Sequence, residues 1–132
     1  MSWIKIMLLI TLAGFSLVAC GKSDPDTIRA KQGLPPMGFV GDTIKGASLF
    51  TDYCSGCHGQ GALGSEKGPP LVNKIYKPDH HPDFAFYRAV KAGVKSHHWQ
   101  FGDMPSVSEI NAEQVAHVVA YIRGEQRKAG IY

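Results

Sequence analysis

Apolar residues recur at three- and four-residue spacings in several stretches of the chain, the pattern of amphipathic helices. The first stretch starts with Asp42 or Thr43, both good N-cap residues, and runs to about Tyr53. A second runs over residues 83–92, between Pro82 at a first-turn position and Gly93, a natural residue to end a helix. The pattern therefore predicts two helices separated by a long connection.

The last predicted helix has the strongest signal. Asn111 and Gln114 form a potential capping box, in which each side chain bonds the other residue's backbone N–H. An apolar stripe then continues to about Arg127, formed by Val115, Val118, Val119 and Ile122. No stretch alternates apolar and polar residues for long enough to predict a strand. The sequence therefore predicts an all-α fold.

The N-terminal pattern is different, and it is typical of a targeting segment. Residues 6–18 are uncharged and almost wholly apolar, but as a helix they rise only about 20 Å against a hydrocarbon core of about 30 Å. Leu17-Val18-Ala19-Cys20 resembles a bacterial lipobox, which implies that residues 1–19 are a signal peptide and that Cys20 carries lipid. An ordinary signal peptide with an incidental cysteine and an uncleaved membrane anchor are the alternatives.

This interpretation places the mature chain outside the cytoplasm, on the periplasmic side, attached to a membrane surface through Cys20. Gly21 rather than Asp after the cysteine favours the outer membrane. Residues 20–41 are rich in polar residues and proline, so we interpret them as the lipidated N-terminus and a flexible tether. Residues 42–132 are then the folded domain.

Composition narrows the class of protein further. The chain of 132 residues is long enough for one domain and too short for a second cofactor lobe. Its net charge is only +3, which is too balanced for a phosphate-binding stripe, so we do not expect a nucleic-acid partner.

The candidate chemistry lies in Cys54-Ser55-Gly56-Cys57-His58, the C-x-x-C-H spacing of covalent c-type haem attachment. Two thiols one helical turn apart can each add to a vinyl group of one porphyrin, and the adjacent imidazole can bind the iron. A dithiol redox pair also uses C-x-x-C, but it needs a βαβ context that the chain lacks. A zinc site could combine the two cysteines with His80 and His81.

Four further segments occur in the order and at the spacing found in class I cytochromes c, which this sequence resembles over about residues 43–127. They are Gly46-x-x-Leu49-Phe50, Gly68-Pro69-Pro70-Leu71, Gly102-Asp103-Met104-Pro105 and Ala120-Tyr121-Ile122-Arg123. The resemblance implies a class I cytochrome c fold, in which three main helices and long loops surround one haem.

The resemblance also implies roles for individual residues. Cys54 and Cys57 would form the haem thioethers, and His58 and Met104 would be the two axial ligands of the iron. The other nitrogen of the His58 ring would donate to the carbonyl of Pro69. Gly46 would let the first and last main helices cross closely, with Phe50 packed against Tyr121. The alternative for Met104 is a packing role only.

Two histidine pairs, His80-His81 and His97-His98, are not explained by the resemblance. Three interpretations are open. The histidines are solvated or hydrogen-bonded loop residues near the haem, or they form a copper or zinc site or a docking surface for a metal-bearing partner. In the third interpretation, one of them replaces Met104 as an axial ligand of the iron.

The sequence thus predicts a membrane-anchored, monohaem electron carrier, not an enzyme, which exchanges single electrons with redox-protein donors and acceptors. Two alternatives come from other functional classes. One is a haem enzyme or gas sensor with a labile sixth ligand. The other is a metal-handling accessory that uses the histidine pairs.

Overall fold

The computed structural model describes residues 23–132. Its helices are α1 (Pro25–Gln32), α2 (Thr43–Tyr53), α3 (Ser55–His58), α4 (Asp83–Ala92) and α5 (Ala112–Lys128), and short 3₁₀ turns occupy Gln60–Ala62 and Lys74–Tyr76. Over these residues the only extended pairing is an isolated bridge, so the all-α prediction is confirmed. The predicted signal peptide and Cys20 lie outside the described residues. Within 23–132, no helix combines the length and apolar character needed to cross a bilayer.

The three predicted helices occur where the sequence places them, because their ends are specified by local capping. The Asp42 side chain accepts hydrogen bonds from the backbone N–H groups of Ile44 and Lys45 at 2.8 and 3.0 Å. Asn111 and Gln114 form the reciprocal capping box, with both bonds at 2.9 Å. These bonds satisfy N–H groups that have no partner inside the helix.

Helix α1 was not predicted, and it lies in the segment assigned to the tether. Asp24 caps it by accepting from the Thr27 backbone N–H at 3.0 Å. None of its residues is buried, so it has no apolar stripe that could mark it in the sequence. Lys91 of α4 donates to the Lys31 carbonyl, and Arg29 donates to the Pro35 carbonyl at 2.7 Å. Regular structure therefore begins before residue 42.

The core forms where α2 crosses α5, as the sequence predicts. A Cβ at Gly46 would lie 1.9 Å from the His117 carbonyl oxygen, so the two helix backbones touch at this glycine. One turn further along, the rings of Phe50 and Tyr121 are 5.4 Å apart. Phe50 and Ile122 are almost completely buried beneath the crossing. This packing makes α5 the element on which the rest of the domain is assembled.

The C-terminal half of α5 binds a long loop through buried polar side chains. Arg123 donates to the Tyr76 carbonyl at 2.6 Å and to the Asp83 carboxylate at 2.7 Å. Gln126 donates to the Leu71 carbonyl at 2.8 Å and to that of Tyr76 at 3.2 Å. The Arg123 bonds are charge-assisted and therefore strong, and together with the Gln126 bonds they hold the loop after residue 70 in place.

Candidate functional site

A cavity of about 760 Å³ lies between α3, α4, α5 and the loop that follows α4. Its volume falls within the range of about 300–1,000 Å³ that is usual for small-molecule and cofactor sites. Much of its wall is apolar, and this part includes Leu71, Phe86, Val90, Val118, Val119 and Ile122. All three chemistry-bearing residues of the C-x-x-C-H motif also line it. The cavity is therefore the candidate functional site.

The C-x-x-C-H motif forms the one-turn helix α3. The Cys54 carbonyl accepts from the backbone N–H groups of Cys57 and His58 at 3.1 and 2.9 Å. This turn places both sulfur-bearing side chains and the imidazole on the same cavity. Gly59, which follows at φ +72°, packs against the Gly64 carbonyl, where a Cβ would lie only 2.0 Å from the oxygen. A side chain there would prevent the chain from turning away from the motif.

His58 is buried and held in one orientation. Its Nδ1 lies 2.9 Å from the Pro69 carbonyl oxygen, which has no proton, so Nδ1–H donates and Nε2 carries the lone pair. Burial lowers the pKa of His58, and the bond to Pro69 opposes that change in part. The ring is consequently held neutral with one nitrogen available, which is the state required of an iron ligand.

The two cysteines have the wrong environment for a dithiol redox pair. Burial raises the pKa of the Cys54 thiol to about 11, and the nearby Cys57 raises it in the same direction. Redox-active cysteines instead have lowered pKa values, because the thiolate is the reactive form. The zinc interpretation also lacks support, since the clustered metal-ligating side chains among residues 23–132 are histidines and include neither cysteine.

Met104 enters the cavity from a short, well-anchored segment. Its backbone N–H and carbonyl pair with the carbonyl and N–H of Val94, both at 2.9 Å. Gly93 permits this approach, because a Cβ there would lie 2.5 Å from the Met104 carbonyl oxygen. Met104 is half-buried and lines the cavity. Met37, the other methionine of the described chain, is 66% exposed and lies outside it.

The loop between Val94 and Met104 contributes two aromatic walls. Trp99 and Phe101 both line the cavity, and the Trp99 indole N–H donates to the Tyr76 hydroxyl at 3.1 Å. At the base of the loop, Asp103 accepts from Lys95 and, at 2.9 Å, from the Ser96 backbone N–H. The hydrogen bond from Lys95 is the main reason that the pKa of Asp103 lies below its usual range. None of these three hydrogen bonds was predicted from the sequence.

The two histidine pairs converge at this site although they are far apart in the chain. His81, His97 and His98 line the cavity, whereas His80 lies beside it. Ligating nitrogens of His80, His81 and His98 all lie within 4.8 Å of one another. A copper or zinc site is one of the interpretations that the sequence allows for the two pairs, but no local sequence signal indicates that they meet.

The cavity fits a covalently bound haem. Two sulfurs and a neutral imidazole share one apolar chamber, and a thioether lines the same chamber. The apolar walls suit a porphyrin, and the fixed tautomer of His58 suits an iron ligand.

Comparison with known proteins agrees with this assignment. A family model described as cytochrome c matches residues 44–125, more than half of the chain. Cytochrome CL from the marine methylotrophic bacterium Methylophaga aminisulfidivorans MPT has a similar solved structure, with 25% identity and a TM-score of 0.54. The match covers 83% of this chain and 71% of that one. None of the curated proteins compared gives a significant match. The family match and the similar fold show that the chain belongs to the cytochrome c family, whose members carry electrons on a covalently bound haem c.

Proposed function

We propose that this protein is a one-electron carrier outside the cytoplasm, with His58 and Met104 as axial ligands of its haem iron. When bound, haem c supplies a reversible couple between ferrous and ferric iron. The carrier role requires that both axial positions be filled, whereas an enzyme or gas sensor requires an open or labile sixth position.

The observation that carries the proposal is that both side chains line one cavity and that each residue is anchored independently. The Pro69 carbonyl orients His58 at 2.9 Å, and the bridge to Val94 holds Met104. A thioether is a weak, soft donor that raises the reduction potential. The surrounding apolar side chains limit access of water, which also tunes the potential.

The cavity also reaches the surface on its attachment side. Cys57 is exposed while Cys54 is half-buried, so a redox partner can approach close to the motif. Brief electron-transfer encounters use small interfaces, typically below about 1,200 Å². We infer that the donor and the acceptor are both redox proteins that dock at this side.

Substitution of Met104 tests the axial ligation. The reduced Met104→Ala holoprotein should bind carbon monoxide readily and have a lower midpoint potential than the wild type, because the sixth position is opened. Met37→Ala is the matched control, since Met37 is exposed and outside the cavity, and it should leave both measurements unchanged.

Rapid carbon monoxide binding by the reduced wild type would contradict the proposal and support the enzyme or sensor alternative. A Met104→Ala protein with the wild-type spectrum and potential would show that another side chain, such as one of the cavity histidines, is the ligand.

The cellular location rests on the sequence of residues 1–20. We propose that Cys20 is lipidated and attaches the domain to the periplasmic side of a membrane, with the outer membrane favoured. Labelled fatty acid should be incorporated into the wild type in its native host and should be absent from Cys20→Ser. Mass spectrometry that finds an unmodified mature N-terminus, or one other than Cys20, would contradict the anchor.

A further inference from the structure

We propose that His80, His81 and His98 form a second metal site, which binds a divalent transition-metal ion of the kind that imidazole favours, such as Zn²⁺ or Cu²⁺. This site is separate from the C-x-x-C-H motif, and nothing in the carrier function requires it.

The first argument is geometric. The ring centroids are 4.7 Å apart for His80 and His81, 5.2 Å for His81 and His98, and 5.4 Å for His80 and His98. One nitrogen from each ring lies within 4.8 Å of the others. Two nitrogens bound to one tetrahedral zinc at about 2.0–2.1 Å are about 3.3–3.4 Å apart. Side-chain rotations of His80 and His98, which are both exposed, can close this difference.

The second argument concerns the orientation of His81. Its Nδ1 lies 2.7 Å from the Ile75 carbonyl oxygen, so Nδ1–H donates and Nε2 is left with its lone pair. Metal-binding histidines usually have this arrangement, because the carbonyl fixes the ring and its tautomer. Arg123 donates to the backbone carbonyl of His81, which holds the residue from the other side. His81 is therefore a preformed ligand to which the two exposed rings of His80 and His98 can be added.

The third argument concerns charge. The nearby carboxylates of Asp79 and Asp103 are paired with Lys77 and Lys95. Clustered imidazoles without a carboxylate between them repel one another when protonated. A bound cation turns this unfavourable cluster into a set of ligands.

The donor set selects the class of ion. Three imidazole nitrogens suit Zn²⁺, Cu²⁺ or Ni²⁺, while Mg²⁺ and Ca²⁺ require oxygen ligands. With three protein ligands, a fourth position remains for water or for a group from a partner. Because His81 and His98 also line the haem cavity, the ion would lie beside the redox site, where its charge favours the ferrous state.

Titration calorimetry with Zn²⁺ on the ferric holoprotein, purified without a polyhistidine tag, tests the site. Zn²⁺ is the probe because it has no redox chemistry of its own. The wild type should bind one Zn²⁺, and His98→Ala should bind it at least about tenfold more weakly. Loss of a residue that only hydrogen-bonds a metal ligand already weakens binding about tenfold, so loss of a ligand itself should have at least this effect. His98→Ala should keep the wild-type haem spectrum and helical circular dichroism, as should the control variant His97→Ala.

His97→Ala is the matched control. His97 is adjacent in sequence and also lines the cavity, but it is not part of the close set of ligating nitrogens. The dissociation constant of His97→Ala for Zn²⁺ should stay within about threefold of the wild-type value. Absence of stoichiometric binding in the wild type, or an equal loss in His97→Ala and His98→Ala, would overturn the proposal.

Discussion

Replacement of Gly46 by alanine tests the packing that positions the whole site. Gly46 lies in α2, where a Cβ would be 1.9 Å from the His117 carbonyl oxygen and 2.8 Å from the Tyr121 Cβ. Ordinary van der Waals contact begins near 3.4 Å, so the new methyl group is about 1.5 Å too close to the carbonyl. The nearest obstacle is backbone, which cannot rotate away as a side chain can. The two helices must therefore separate.

Two opposing effects determine the net change in the free energy of unfolding. Alanine has a higher helix propensity than glycine, which favours the variant by about 1 kcal/mol. Overpacking of a core usually costs about 1–3 kcal/mol, and sometimes more when backbone must shift. The clash here is with backbone on the opposite helix, so we expect the upper part of that range. The expected net destabilisation is about 1–2 kcal/mol.

Gly124→Ala is the matched control, because Gly124 lies in the partner helix α5 and its site is open. A Cβ there would meet only the Thr43 Cγ2, at an ordinary distance of 3.7 Å. The propensity gain should therefore appear without a clash, and this variant should be more stable than the wild type by about 0.5–1 kcal/mol.

Urea denaturation of the three holoproteins, followed by circular dichroism, measures the difference directly. The midpoints should follow the order Gly124→Ala, wild type, Gly46→Ala, with the first the highest. A Gly46→Ala midpoint equal to or above that of the wild type would refute the close crossing of α2 and α5. Equal shifts in the two variants would show that propensity alone, rather than packing, determines the result.

Three further predictions concern charge, loop anchoring and attachment. Hydrogen bonds from the backbone of Lys45 and Ile44 lower the pKa of Asp42. The ionised carboxylate therefore stabilises the fold fully above about pH 3.8, and this stabilisation is lost as the pH falls through the lowered pKa. The difference in urea midpoint between the wild type and Asp42→Asn should decrease over that acidic range. Arg123→Met removes the donor to the Tyr76 and His81 carbonyls and should lower the free energy of unfolding by about 2–3 kcal/mol in urea denaturation. An unchanged value would contradict its anchoring role. Cys54→Ser should keep haem through one thioether and Cys54→Ser/Cys57→Ser should release it to acid acetone, while pigment retained by the double variant would refute thioether attachment.

The features that the sequence predicts correctly are those determined by neighbours in the chain. Asp42 caps α2 through residues two and three positions away, and Asn111 and Gln114 cap α5 reciprocally. Such contacts depend on local geometry alone, so the sequence reveals them. Helix α1 was missed because it buries no residue and has no apolar stripe, although Asp24 and Pro25 at its start and Gly33 at its end are the usual terminal signals.

The bridge between Val94 and Met104 was missed for a different reason. It pairs a single residue with a single residue, so it leaves no alternating pattern in the sequence. The meeting of the two histidine pairs depends on the conformations of two loops, which are determined by contacts from distant elements. Arg123 holds one loop through the His81 carbonyl, and the pair of Lys95 with Asp103 closes the other.

Helix α5 connects these separate observations. One end of it crosses α2 at Gly46, and its other end bonds the loop that carries His80 and His81. Gln126 donates to the Leu71 carbonyl, two residues after the Pro69 carbonyl that orients His58. Arg123 likewise holds His81. Because one helix supports both the imidazole of the motif and the histidine cluster, a shift of α5 should change the two sites together, whereas substitution of His98 should change only the second.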